Sequence, residues 1–148
     1  MSNFNLTYKQ VVDAFELACR NHKGIATFET GTLDFLDAVA VNKQYPYIFM
    51  RPIGSNYADK IKTLTFELFS LDIPKVSDES PVKIMSNCEE RIWQIISYFM
   101  FGTDQKYWDI VVTSIQPVNE AFQDRVFGWV ATIDVNIPFK LDYCHYPS

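Results

Sequence analysis

Residues able to do chemistry are few in this chain, and their spacing rarely brings them together. Cys144 and His145 are sequence neighbours and suggest a nucleophile beside its base. Adjacent residues on an extended chain point to opposite sides, so the imidazole does not face the thiol as activation requires. Glu89 and Glu90 form a carboxylate pair on a stretch of helical spacing. Consecutive helical residues lie about 100° apart and do not converge on one cleft, so these read as solvated charges near Arg91 rather than an acid–base couple. Asp34 with Asp37, and Asp104 with Asp109, offer hard oxygen ligands, yet neither pair follows a calcium-loop pattern or has histidine support. Gly24 and Gly31 are too far apart, with Ile25 and Phe28 between them, to cradle a phosphate. The expectation is therefore no catalytic, cofactor-binding or metal-ligating residue, and a protein that is not an enzyme.

Aromatic residues carry the remaining functional potential. Tyr107 and Trp108 open a strand, where one of the two rings faces outward unless something covers it. Tyr and Trp are the side chains that most often dominate interfaces. The alternative is the rim of a core. Tyr143 and Tyr146 in the C-terminal segment, and Phe4 ahead of the first helix, share this ambiguity. The candidate interface residues are Phe4, Tyr107, Trp108, Tyr143 and Tyr146.

The elements that must position these residues follow from hydrophobic period. From Arg125 to Phe139 the odd positions read Phe127, Trp129, Ala131, Ile133, Val135, Ile137 and Phe139, while the even ones grow polar through Thr132, Asp134 and Asn136. A period of two kept this long predicts a strand with one wholly buried face, spanning roughly 45 Å. Thr7 can cap a first helix over Tyr8 to His22, with Val11, Phe15, Ala18 and Cys19 inward and Gly24 as its stop. Strands are expected at Gly31 to Val41, Tyr45 to Arg51 and Ile61 to Ile73, the last with burial that switches sides along its length. Pro52 to Asp59, rich in turn residues, reads as an exposed connection. Ser80, Pro81 and Gly102 frame a second helix whose stripe is Met85, Cys88, Ile92, Ile95 and Phe99, widened by Ile96. Strands over Trp108 to Val118 and Val126 to Leu141 complete the order α-β-β-β-α-β-β. This lacks the strict alternation of a parallel sheet, so the expected fold is α+β, a mostly antiparallel sheet with two helices on one face, in a single domain over residues 1–148.

Composition narrows the classes further. The net charge is −5, aromatics make up 16%, and the basic residues are scattered, Lys60 and Lys62 being the closest pair. No basic stripe exists to release counterions from phosphates, which argues against sequence-specific nucleic-acid binding. The three cysteines are spread along the chain without a C-x-x-C pair, consistent with reduced thiols in a cytoplasmic setting. The N-terminal residues lack a signal-peptide pattern and no apolar run reaches the roughly 20 residues of a membrane span.

The C-terminal strand and its flanks also carry a resemblance. Asp124, Val126, Gly128, Trp129, Ala131, Thr132, Ile133, Val135, Ile137, Pro138, Leu141, Asp142 and Cys144 resemble the pattern D-x-V-x-G-W-x-A-T-I-x-V-x-I-P followed by L-D-x-C, found in small virion proteins of large tailed bacteriophages. Asn21 to Lys23, the strand at Tyr45 to Phe49, and Phe66 to Asp72 ahead of the Ser77 to Ser80 loop agree with it; Arg125 and Phe127 depart from it. The chain is similar to tail-terminator and neck (head-to-tail connector) proteins. That resemblance implies a tail-terminator-like α/β subunit in a homo-oligomeric ring, sixfold or twelvefold, seated against other neck or tail proteins in the virion and assembled in the host cytoplasm. DNA would pass the ring without being gripped, which an acidic surface suits. The competing expectation is a small cytoplasmic adaptor or binding module working as monomer or dimer.

Overall fold

The computed structural model describes residues 6–31, 44–74, 80–102, 108–121 and 126–141. Its elements are α1 (Tyr8–Arg20), β1 (Thr27–Thr30), β2 (Tyr47–Ala58), β3 (Ile61–Asp72), α2 (Pro81–Phe101), β4 (Asp109–Ala121) and β5 (Val126–Pro138). The strands form one sheet in the order β1-β2-β3-β5-β4, antiparallel throughout except for the parallel pair β1 and β2. The fold is thus α+β in the expected order.

The central pair is β3 with β5, in unbroken register from Ile61 opposite Pro138 to Asp72 opposite Phe127. The odd face of β5 is buried at Phe127, Ala131, Ile133, Val135 and Ile137, and Trp129 is half-buried. Trp129 donates its indole N–H to the Met85 carbonyl at 2.9 Å, which ties β5 to the first turns of α2. Gly128 stands on the same strand because nothing larger fits. A Cβ there would lie 1.9 Å from the Ser70 carbonyl oxygen, which is backbone and cannot move aside.

Both helices pack on this face. α1 begins with a full capping box: the Gln10 N–H donates to Thr7 Oγ1 at 3.2 Å, and the Thr7 N–H donates to Gln10 Oε1 at 2.8 Å. Val11, Phe15 and Cys19 of α1 and Ile92, Ile95 and Ile96 of α2 meet Ile48, Met50, Leu64, Phe66 and Leu68 in one core. Ile84, outside the stripe expected for α2, is buried, whereas Met85 and Phe99 are half-buried. α1 ends at Arg20 rather than His22, and Gly24 serves instead by donating its N–H to His22 Nδ1 at 2.9 Å. A second cluster of Tyr47, Phe49, Phe69, Leu71 and Val126 lies on the opposite face. β3 is accordingly buried on alternate residues at first and on both sides from Leu68 onward, the expected switch.

Two expectations change. The strand at Gly31 to Val41 falls, apart from Gly31, outside the described residues; the first strand of the order is Thr27–Thr30, too short to show a period. Pro52 to Ala58 is strand, not connection. Proline and glycine are tolerated because β2 has no described partner on its outer side past Met50, and a bulge at Ile53 absorbs the irregularity. The turn is just Asp59 and Lys60, with φ of 54° and 66°, the left-handed pair that suits the twist of a two-residue hairpin. Phe139 braces this tip: its N–H donates to the Lys60 carbonyl at 2.9 Å, its ring meets Tyr57 edge-on, and the Lys62 ammonium sits 4.4 Å above it.

Gly128→Ala is expected to lower stability by at least about 2 kcal/mol, read from the urea midpoint. Trp129→Ala should cost about 3 kcal/mol, and Trp129→Phe about 1 kcal/mol through the lost hydrogen bond. An unchanged midpoint for Trp129→Ala contradicts the buried-face assignment.

Candidate assembly surfaces

Of the five aromatic candidates, Phe4, Tyr107, Tyr143 and Tyr146 lie outside the described residues. Trp108 is described and half-buried, its ring 5.1 Å from Phe99 and 5.8 Å from Phe15. It closes one end of the helix-side core. The outer flank of that aromatic cluster, with Met100, Phe101, Asp109, Ile110 and Val111, lines an open groove of about 460 Å³. Phe101 is 83% exposed there.

Two further surfaces stand out. The first runs along α2, where Val82, Trp93 and Met100 are all exposed and stand within about 20° of one another on the helix. The spacings of eleven and seven residues were the available signal. The second is the pair of sheet edges. β4 pairs with β5 on one side and, among the described residues, with nothing on the other. Among the described residues β2 is covered by β1 only from Tyr47 to Met50, and Arg51 to Ala58 has no partner strand on that side. Backbone N–H and C=O groups along such edges are ready to accept a strand from another chain.

Polar groups in the interior are structural in character. The Arg91 guanidinium lies 3.6 Å from the Asp72 carboxylate, both largely buried, and 3.8 Å from the Cys88 sulfur. Burial pushes the Cys88 thiol up to about 11 and Cys19 up to about 12, so neither is a thiolate nucleophile near neutral pH. His22 Nε2 contacts Gln94 Oε1, and Gln94 in turn donates to Glu90 at 3.2 Å, which orients the imidazole towards α2 rather than towards a thiol. Among the described residues no group of three His, Cys, Asp or Glu side chains is arranged to hold a metal, and no helix is long and apolar enough to cross a membrane.

The back face of the sheet near the hairpin tip is polar and laddered. Thr65 donates to Asp134 and Thr63 to Asn136, each at 2.7 Å, and Arg51 pairs with Glu67 at 2.6 Å. These contacts join β2, β3 and β5 in one plane and satisfy the polar side of the alternation read from β5.

No protein-family model matches the chain, and no curated protein matches it either.

Trp108→Ala is expected to destabilise the fold by about 3 kcal/mol, whereas Phe101→Ser should stay within about 0.5 kcal/mol; equal losses would contradict the placement of Trp108 in the core rim. The thiols give a second test. In a Cys144→Ser background, Cys19 and Cys88 should resist a disulfide reagent at pH 8 and react fully in urea. Because both folded values lie above the ordinary 9.0, the fold favours the protonated thiols. That contribution is whole below pH 9 and is lost as pH rises towards 11 and 12, so the melting temperature should fall across that window.

Proposed function

We propose that this chain is a structural subunit of a tailed-phage particle. It forms a closed homo-oligomeric ring at the head-to-tail junction or tail end, as a neck protein or tail terminator does. The observation that carries the reading is the pair of strand edges that have no partner strand among the described residues, at opposite margins of one sheet, β4 on one side and Arg51 to Ala58 on the other. The two edges differ, so contact between them is head-to-tail, and a head-to-tail contact closes into a ring when its rotation divides a circle. The resemblance of the Asp124 to Cys144 segment to virion proteins points the same way. So does the acidic balance, which lets DNA pass through a channel without retention. In this reading the protein has no catalytic role, its neighbours are other neck or tail proteins, and it is made in the host cytoplasm.

Light scattering over a rising concentration series tests the proposal. A discrete hexamer or dodecamer is the expected result. A dimer at every concentration favours the adaptor reading, through pairing of β4 with its own twofold copy, and a monomer throughout contradicts self-assembly.

A further inference from the structure

Resting on the ring reading, we infer that the last turn of α2 in one copy, led by Phe101, seats in an apolar groove at the β2–β3 hairpin of the next, where Lys62 meets the negative end of the incoming helix. The groove is lined by Tyr8 of α1, Ile53 of β2, and Leu64 and Phe66 of β3, and it holds about 380 Å³. Lys62 is the one charged side chain in its lining. The Lys62 ammonium donates to the Leu6 carbonyl at 2.6 Å and lies over the Phe139 ring, and among the described residues no carboxylate pairs with it. Burial lowers its pKa from the ordinary lysine value, as it does for an ammonium in apolar surroundings. The complement of such a groove is an apolar side chain accompanied by negative charge.

The opposite margin of the subunit presents both. Phe101 is the last residue of α2 and, at 83% exposed, the barest large apolar side chain among the described residues. α2 has no basic residue in its last turn, so no side chain of that turn offsets the partial negative charge at its C-terminus. Asp109 lines the surface beside Phe101 and adds a full negative charge. An exposed aromatic ring next to an uncompensated helix end is the partner that the Lys62 groove calls for.

Their placement in the fold lets the two meet. Both lie on the helix side of the sheet, since Leu64 and Phe66 belong to the core on which α2 packs. Both lie at the hairpin end. Ser55 is level with Leu64, Val135 and Ile110, and Ile110 lines the surface beside Phe101. They stand at opposite margins, the groove over β2 and β3 and Phe101 beside β4. A copy set beside the first with the same face and the same end forward therefore carries its groove to the first copy's Phe101. Among the described residues β1 does not intervene, because it flanks β2 only from Tyr47 to Met50 and the groove begins at Pro52. Ring and groove are different surfaces, so the contact is head-to-tail.

The test is disulfide cross-linking of Phe101→Cys with Ile53→Cys, both exposed positions, in a Cys144→Ser background whose remaining thiols are buried. The single variants should link when mixed with each other and not when alone, and the double variant should oxidise to a ladder that passes the dimer. Phe101→Ser should raise the concentration of half-assembly, read by light scattering, by at least about tenfold. Linkage of either single variant to itself overturns the proposal in favour of a twofold contact. A double variant that stops at the linked dimer upholds the groove as the seat of Phe101 and overturns the ring reading. Assembly by light scattering that is unchanged in Phe101→Ser, with no linkage in the mixture, overturns the groove contact and leaves the ring reading standing. A protein that neither links nor assembles overturns both.

Discussion

The register between β3 and β5 is the constraint on which the rest of this protein depends. A slip by one residue would turn the buried face of β5 outward. It would also move Gly128 from the one place where Ser70 leaves no room for a Cβ. With the register set, Trp129 reaches the Met85 carbonyl and Phe127 lies beside Cys88, which sets where α2 rests. The same register carries Phe139 to the β2–β3 turn and supports the hairpin tip.

That central pair sorts the molecule into two faces of different purpose. The helix side is a continuous apolar core to which both helices contribute. The other side is apolar at one end and polar at the hairpin end, where threonines meet Asp134 and Asn136 across strands. Hydrogen bonds across the strands satisfy the polar side chains of that half. Among the described residues the outer sides of β4 and of Arg51 to Ala58 carry no partner strand, and these two margins differ from each other.

Much of this was legible in the sequence, for reasons specific to each element. β5 and α2 are long enough for their periods to be unmistakable, and Ser80, Pro81 and Gly102 mark the bounds of α2. The switch in burial along β3 was legible because Phe69 and Leu71 interrupt its polar face. β2 was misread past Arg51, since proline and glycine signal a turn locally and are permitted in a strand when its outer side is open. No local pattern reveals which side of a strand is open. β1 was hidden by its length, and Ile84 by its place at the margin of the α2 stripe. Trp108 carried the right residue type for an interface, yet its placement depends on Phe15 and Phe99, which are distant in sequence. The Asp72 and Arg91 pair was invisible for the same reason.

Amide hydrogen exchange, followed residue by residue in dilute and concentrated protein, tests most directly whether the sheet edges are the assembly surfaces. The account predicts that β3 and β5 exchange slowest in both samples. It also predicts that alternate amides of Gly54 to Ala58 and Asp109 to Val112 exchange fast when dilute and slowly when concentrated. Protection that appears instead along Val82, Trp93 and Met100 of α2, with the edges unchanged, would contradict it.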